Sequence, residues 1–296
     1  MRRSARKKQL RRRCLLAGVL GAGGVIVLVL TAGRGEMPQN QLPRENPGEE
    51  ILSESGQEDR SSGPSAEKAE ILERLNAMAE TDPQVRQILE NADQYPEDIL
   101  KAVADNPEIT EFALAYPQKK DTEPADTIGS VTRGEIPELI QWDPRWGYVW
   151  YGDGVLGVTG CGPTALSMVA AGLTGEAGTT PAAVAEFAEK GGYYVEGTGT
   201  SWSLMTEGCR NFGVQGREIS LDRQQVFAEL EAGHPVICSM KPGDFTTQGH
   251  FIVLAGTEDG KIRVHDPNSR VRSETLWEYD RLQSQINNLW AFEAVQ

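Results

Sequence analysis

A short glycine-rich segment around Cys161 places the strongest local constraint on how this chain can fold. Cys161 lies between two glycines and is followed by Pro163. An apolar stretch with helical spacing comes next: Ala165, Leu166, Met168 and Val169. Because proline is tolerated in the first turn of a helix but not in its interior, the segment predicts a helix that begins at Cys161. The helix dipole and the unpaired backbone amides at such a position favour the thiolate, which is the nucleophilic form of cysteine.

A second segment, residues 249–254, places His250 at the head of a β-type run. The next strand is predicted over residues 261–265 and is followed by Asp266. Pairing of these strands in a hairpin predicts that Asp266 lies close to His250. A carboxylate there can accept a hydrogen bond from one ring nitrogen, which leaves the other nitrogen to deprotonate Cys161.

Five short sequence motifs lie at or near the candidate residues Cys161, His250 and Asp266. They are residues 140–148 (IQWDPRWGY), 160–164 (GCGPT), 197–202 (GTGTSW), 249–251 (GHF) and 265–268 (HDPN). Together they resemble the bacterial cysteine peptidases related to bacteriocin-processing enzymes, a peptidase family thirty-nine-like group with a papain-like fold. The resemblance implies that Cys161 is the nucleophile, His250 the general base and acid, and Asp266 the residue that orients His250. It also implies that Gln141 is an oxyanion-hole donor.

Each of these residues also has a plainer interpretation. Cys161 could be a buried structural thiol, and His250 a histidine with satisfied hydrogen bonds at a strand end. Asp266 begins an Asp-Pro-Asn-Ser sequence, in which its side chain could bond to its own backbone, and Asn268 is then the alternative partner for His250. The flanking glycines and proline favour function for Cys161.

The remaining candidates are interpreted structurally. His234 follows a glycine and precedes a proline, which is typical of a turn, and His265 is expected to point away from the His250 side of the sheet. Trp142 and Trp146 are expected in the core. Thr200, Ser201 and Trp202 are expected to cap a helix rather than to contact substrate.

The N-terminus predicts membrane insertion. Residues 1–13 contain eight Lys and Arg and no acidic residue, and residues 15–32 carry no charge. A basic flank before an apolar span of this length predicts a transmembrane anchor over residues 14–33, with a signal peptide as the alternative. By the positive-inside rule, residues 1–13 form a cytoplasmic tail and everything after the anchor lies outside the cytoplasmic membrane of a bacterium. The protein is secreted if the segment is cleaved.

The composition restricts the partners and cofactors. The formal net charge of the chain is −14. Without the cations of residues 1–13, the rest of the chain is still more negative, so nucleic acid is excluded as a partner. We expect no cofactor and no metal, because phosphate-binding loops and close-spaced Cys and His residues are missing from the sequence. Three cysteines follow the predicted anchor: Cys161, Cys209 and Cys238. This odd number does not indicate a disulfide framework, although one disulfide bond between Cys209 and Cys238 is possible.

The chain divides by composition into successive parts. Residues 34–65 are polar and predict a disordered linker. Residues 66–118 predict a small helical module whose helices begin at Asp82-Pro83 and Asn106-Pro107, and residues 119–133 predict a second linker. Residues 134–296 predict a peptidase-like domain of the α+β class, with helices first and an antiparallel sheet second. We interpret the helical module as a spacer or docking bundle; the alternative is a regulatory segment that covers the active cleft.

The leading functional hypothesis is a membrane-anchored extracytoplasmic cysteine peptidase that acts on peptide or protein substrates through Cys161, His250 and Asp266. A cell-wall peptide hydrolase or amidase with the same acyl-enzyme chemistry is the first alternative. A catalytically inactive surface binding module on the same scaffold is the second, because a fold does not fix a function.

Overall fold

The computed structural model describes residues 64–295. The predicted cytoplasmic tail, the predicted anchor at residues 14–33 and nearly all of the first predicted linker lie outside these residues. Between residues 64 and 295, no helix is both long enough and apolar enough to cross a membrane.

The N-terminal part of the described chain is a helical module, which we define as residues 64–119. Its helices are α1 (Pro64–Ala79), α2 (Pro83–Glu90), α3 (Glu97–Asp105) and α4 (Thr110–Lys119), with single 3-10 turns at Ala92–Gln94 and Pro107–Ile109. The two predicted start signals are confirmed. The Asp82 carboxylate accepts a hydrogen bond from the backbone N–H of Gln84 at 2.8 Å, and the Asn106 side chain accepts one from the N–H of Glu108 at 3.1 Å.

The remaining chain contains shorter elements first and long strands later. The first elements are β1 (Trp150–Tyr151), β2 (Gly154–Val155), α5 (Leu156–Thr159), α6 (Cys161–Thr174), α7 (Pro181–Lys190), β3 (Tyr194–Val195), β4 (Gly199–Thr200), α8 (Ser203–Thr206) and a 3-10 turn at Gly208–Phe212. The later elements are β5 (Val214–Glu218), α9 (Arg223–Glu231), β6 (Val236–Met240), β7 (His250–Glu258), β8 (Lys261–His265), α10 (Arg270–Glu274), β9 (Leu276–Trp277), α11 (Tyr279–Gln283) and β10 (Ile286–Ala294).

Six strands form one antiparallel sheet in the order β5-β10-β6-β7-β8-β9. Strand β7 is buried on both faces. Phe251 and Val253 pack in the core that contains α6 and α7, whereas Ile252 and Leu254 pack in the core that contains α9 and α11. Burial on both faces explains why the start of β7 is continuously apolar rather than alternating. The expected combination of helices and an antiparallel sheet is confirmed.

One segment differs from the sequence-based expectation. The predicted linker over residues 119–133 is held against the domain by backbone hydrogen bonds. Ala125 N–H donates to the carbonyl of Arg145 at 2.8 Å, and Ile128 N–H donates to that of Ala177 at 2.9 Å. The side chain of Ile128 is buried, so this segment contributes to the core.

The helical module shares one hydrophobic core with the residues that precede α6. This core combines apolar side chains from α1 to α4 with four from the following segment: Ile140, Trp142, Tyr148 and Val155. The ring of Phe112 stacks on that of Tyr148 with 4.2 Å between centroids. Of the spacer or docking bundle that we expected, this shared core favours the docking bundle, because a spacer would not bury its apolar face in the domain that it separates.

Substituting Gly157 tests this shared core. A Cβ atom at Gly157 would lie 2.6 Å from Cζ of Phe112, so we expect Gly157→Ala to destabilise the protein by about 1–3 kcal/mol through overpacking. Gly256→Ala is the matched control, since a Cβ there meets nothing within 4 Å and the expected change is within about 0.5 kcal/mol. Urea unfolding of both variants measures the difference. Equal stability of the two variants would contradict the contact between Phe112 and Gly157.

Candidate active site

Helix α6 presents Cys161 at its first turn. The helix begins at Cys161 with Pro163 as its third residue, as the proline rule predicts. The backbone N–H groups of this first turn have no acceptor within the helix. Cys161, Cys209 and Cys238 are all free thiols, and Cys161 alone among them is partly exposed. Of the cysteines that the structure describes, Cys161 is therefore the one that a substrate can reach.

Gly162 is required because the side chain of Thr200 lies very close to the first turn of α6. A Cβ atom at Gly162 would lie 2.5 Å from Oγ1 of Thr200. Thr200 is buried and shares a hydrogen bond of 2.8 Å with the hydroxyl of Tyr151. Ser201 Oγ accepts a hydrogen bond from the N–H of Ser203 at 3.3 Å, at the start of α8. The glycine-rich loop thus supports the first turn of α6. Only Ser201 bonds to the start of α8 as expected, because Thr200 bonds to Tyr151 and Trp202 makes no side-chain cap hydrogen bond.

His250 and Asp266 meet across the β7–β8 hairpin. Strand β7 begins at His250, β8 ends one residue before Asp266, and the pairing of Val253 with His265 aligns the two ends. His250 Nε2 lies 2.7 Å from Oδ1 of Asp266, and both side chains are buried. The structure therefore brings together the two residues that the hairpin argument paired.

The Asp266 carboxylate is completely buried and accepts further hydrogen bonds. Oδ1 also accepts the N–H of Asn268 at 2.8 Å, and Oδ2 accepts Nε of Arg272 at 2.5 Å. Burial on its own would raise the pKa of Asp266, but the charges and hydrogen bonds of His250 and Arg272 lower it below the ordinary value. Asp266 is therefore held as a carboxylate.

The imidazole of His250 is held in its protonated form by its neighbours. Burial alone would lower the pKa of His250, but the Asp266 carboxylate and the hydrogen bond to it raise that pKa well above the ordinary value. The neighbouring Cys161 side chain raises the pKa further. Because Nε2 is bonded to Asp266, Nδ1 is the ring nitrogen that remains available to exchange a proton with a neighbouring group. Asn268, the alternative partner for His250, instead bonds to Asp266 through its backbone N–H.

Gln141 lies in the wall of the same cleft, but its amide is engaged. Its Nε2 donates to the carbonyl oxygens of Gly157 and Val158, both at 3.0 Å. Its Oε1 is buried and has no hydrogen-bond partner among the described residues. Since an amide nitrogen carries two hydrogens, an oxyanion could be bound by Gln141 only after one of these bonds is released.

The other two histidines lie elsewhere. His234 follows α9, and its Nδ1 lies 2.9 Å from Oε2 of Glu229, in agreement with a turn residue. His265 is buried, and this burial lowers its pKa to about 4, which leaves it neutral. Within residues 64–295, no group of three or more His, Cys, Asp or Glu side chains is placed to hold a metal ion.

The thiol and the imidazole open into a cleft of about 380 Å³. One wall contains Cys161, His250 and Gln141, and a second is formed by the loop over residues 243–249. A third wall comes from the helical module, with these residues: Asp98, Lys101, Ala102, Asp105, Asn106 and Ile109. Neither this third wall nor the role of Arg272 could be predicted from the sequence, because no sequence motif links the helical module or Arg272 to the residues of the catalytic cleft. The module borders the cleft and leaves it open, so in this structure it does not act as a cover.

Comparison with known proteins identifies the family of the chain. The peptidase domain of Streptococcus ComA, a bi-functional ABC transporter involved in a quorum-sensing pathway, is 25% identical over 47% of this chain and 93% of its own, with a TM-score of 0.38. A putative C39-like peptidase from Bacillus anthracis is 15% identical over 57% of this chain and 100% of its own, with a TM-score of 0.32. No curated protein matches the chain. The family model matches residues 135–294, which is more than half of the chain and includes Cys161, His250 and Asp266, so the protein belongs to the Peptidase_C39 like family.

Proposed function

We propose that this protein is a cysteine peptidase that hydrolyses peptide bonds through an acyl-enzyme on Cys161. The observation that carries the proposal is the bond of 2.7 Å between His250 Nε2 and Asp266 Oδ1, next to the Cys161 thiol and open to a cleft. A nucleophile, a base within reach and a third group that orients the base are the parts that nucleophilic catalysis requires. Their chain order, Cys, His, Asp, and the layering of helices on an antiparallel sheet support a papain-like arrangement.

In the proposed reaction, the thiol proton already resides on His250 in the resting enzyme, and the Cys161 thiolate attacks the carbonyl carbon of the scissile bond. The C=O electron pair moves onto the oxygen, which becomes an oxyanion. When this intermediate collapses, the C–N bond breaks and His250 gives its proton to the leaving amine. Water, deprotonated by His250, then attacks the thioester carbonyl, and the thiolate leaves while the proton stays on His250. Asp266 stabilises the imidazolium form of His250 in both halves of the reaction.

The oxyanion would be bound at the N-terminus of α6. The backbone N–H of Cys161 is available to it because the first turn of a helix has no internal acceptors. Gln141 is the proposed second donor, and it would exchange its bond to the carbonyl of Gly157 or Val158 for one to the oxyanion. Donors of this kind are typically worth about 3 kcal/mol in the transition state.

The site of action is proposed from the N-terminal sequence. The basic residues 1–13 and the uncharged run within residues 14–33 support an anchor in a bacterial cytoplasmic membrane, with the peptidase domain outside. Cleavage of the segment would make the protein secreted. In either case the substrates are extracytoplasmic peptides or proteins, and cell-wall peptides are a second substrate class within reach. The acidic charge of the chain argues against nucleic acid as a partner.

The pH dependence of Cys161 alkylation tests the proposed pair. The raised pKa of His250 keeps the imidazolium present as the pH rises past about 6.5, so Cys161 lies beside a positive charge at neutral pH, and such a charge favours the reactive thiolate. We expect Cys161 to react with iodoacetamide at pH 6 about 10-fold or more faster than an ordinary exposed thiol, and His250→Ala to abolish this advantage. Mass spectrometry of the Cys161 peptide in the full chain measures the rate.

His234→Ala is the matched control, because His234 bonds to Glu229 away from the cleft and its loss should leave the rate unchanged. Ordinary thiol behaviour of Cys161 in the unaltered protein, or the same rate with and without His250, would contradict the proposed pair.

A further inference from the structure

The loop that carries Asp266 is held in place by a turn of the helical module. This turn, residues 106–109, lies between α3 and α4 and precedes the family-matched region, which begins at residue 135. It contacts residues 268–271, about 160 positions further along the chain. The contact between Asp266 and His250 does not by itself require the turn at residues 106–109 to lie against this loop.

Glu108 makes the most extensive contact with the loop. One oxygen of its carboxylate, Oε1, accepts a hydrogen bond from the hydroxyl of Ser269. The other, Oε2, accepts the backbone N–H of Arg270 at 2.8 Å and, more weakly, that of Val271 at 3.4 Å. Hydrogen bonds to an ionised acceptor are stronger than neutral ones, so this carboxylate fixes the backbone of the loop.

Asn106 makes a second contact with the same loop. Its Nδ2 donates to the backbone carbonyl of Asn268 at 2.7 Å. The N–H of Asn268 in turn donates to Asp266 Oδ1 at 2.8 Å, and this oxygen is the one that His250 also contacts. Asn106 is therefore two hydrogen-bonded steps from the catalytic carboxylate.

The contact through Ser269 reaches the other oxygen of Asp266. Ser269 Oγ accepts the backbone N–H of Arg272 at 3.1 Å, and the Arg272 side chain bonds to Asp266 Oδ2. Ser269 is almost completely buried and Asp266 is completely buried. Both oxygens of Asp266 thus depend on loop residues whose positions are fixed by the turn at residues 106–109.

We propose that Glu108 and Asn106 are positioning residues, which hold the loop over residues 266–272 so that Asp266 meets His250. The helical module is accordingly a structural part of the active site, and the family-matched region is incomplete without it. This inference rests on the proposed function. The catalytic geometry is sensitive to shifts of about 1 Å, which is why a residue that never touches substrate can affect the reaction.

The titration of His250 reports this positioning directly. The charged and titratable groups that act on His250 are Asp266 and Cys161, with Arg272 bonded behind Asp266. If the loop shifts, Asp266 stabilises the imidazolium less, and the midpoint of the His250 titration, which is its apparent pKa, moves to lower pH. A general loss of stability leaves this midpoint unchanged, so the readout separates positioning from a merely structural role.

The experiment uses the full chain in detergent, labelled with ¹³C at histidine, and follows the ring signals by NMR as a function of pH. The chain has three histidines, and His250→Ala assigns the signal of interest. We expect Glu108→Ala to lower the His250 midpoint by about one pH unit or more. Glu111→Ala, which removes an exposed carboxylate from the same module, is expected to leave it unchanged.

Glu108→Gln is the second variant, and it covers the case in which Glu108→Ala does not fold. It preserves the volume of the side chain, but it has one acceptor oxygen in place of two and no negative charge, so its hydrogen bonds to Ser269 and Arg270 are weaker. A lowered midpoint in folded Glu108→Gln supports the inference, and an unchanged midpoint in both Glu108→Gln and Asn106→Ala overturns it. The proposed function fails separately: in that case Cys161 of the unaltered protein alkylates like an ordinary thiol, whatever the His250 midpoint does.

Discussion

Replacing Cys161 by alanine is expected to lower the rate of peptide hydrolysis by at least about 10⁴-fold, the scale seen when a catalytic nucleophile is removed from a peptidase. The reason is that the acyl-enzyme needs the Sγ atom, which no neighbouring side chain replaces: His250 is bonded to Asp266, and Gln141 to two carbonyls. The measurement is the turnover of a mixed fluorogenic peptide library by the full chain. Cys209→Ala is the matched control, since Cys209 is completely buried in the core and lies outside the cleft.

The outcomes of this experiment also separate the alternatives. Hydrolysis that survives Cys161→Ala would contradict the proposed mechanism. If soluble fragments are released from purified cell wall while the library stays intact, the substrate is cell-wall peptide and the chemistry is unchanged. If the unaltered protein hydrolyses neither, and Cys161 also alkylates like an ordinary thiol, the protein is a binding module on a peptidase fold.

Removing the helical module, residues 64–119, together with everything before it is expected to abolish cooperative folding. The deletion exposes Ile140, Trp142, Tyr148 and Val155, which are buried against α1 to α4. Burial of a large apolar side chain is worth about 1.5–3 kcal/mol, so the combined loss is comparable with the whole stability of a typical domain, about 5–15 kcal/mol. Near-UV circular dichroism and urea unfolding measure the effect.

Deletion of residues 1–63 alone is the control, because it leaves every described residue in place and is expected to preserve the cooperative transition. The expectation would be refuted by a fragment of residues 120–296 that unfolds cooperatively and has a Cys161 as reactive as that of the full chain. Such a fragment would show that the core around Trp142 and Tyr148 does not need the module.

The elements around the nucleophile could be predicted because their signals are local. A proline at position 163 can be accommodated only near a helix start, which places Cys161 in the first turn of α6. Strand β8 likewise has the predicted bounds, since it precedes the turn-forming residues after His265. The strands of the two-residue hairpins were not predicted, because such short pairings leave no periodic pattern in the sequence.

The sequence by itself determined the candidate nucleophile, the hairpin partners His250 and Asp266, and the α+β class, because these follow from backbone rules and from neighbours along the chain. The tertiary structure alone decided that Arg272 completes the contacts of Asp266, that the Gln141 amide is engaged, and that Glu108 holds the catalytic loop. The bond between Glu108 and Arg270 joins residues 162 positions apart. No local pattern in the sequence encodes such a contact, because its partners are far apart along the chain.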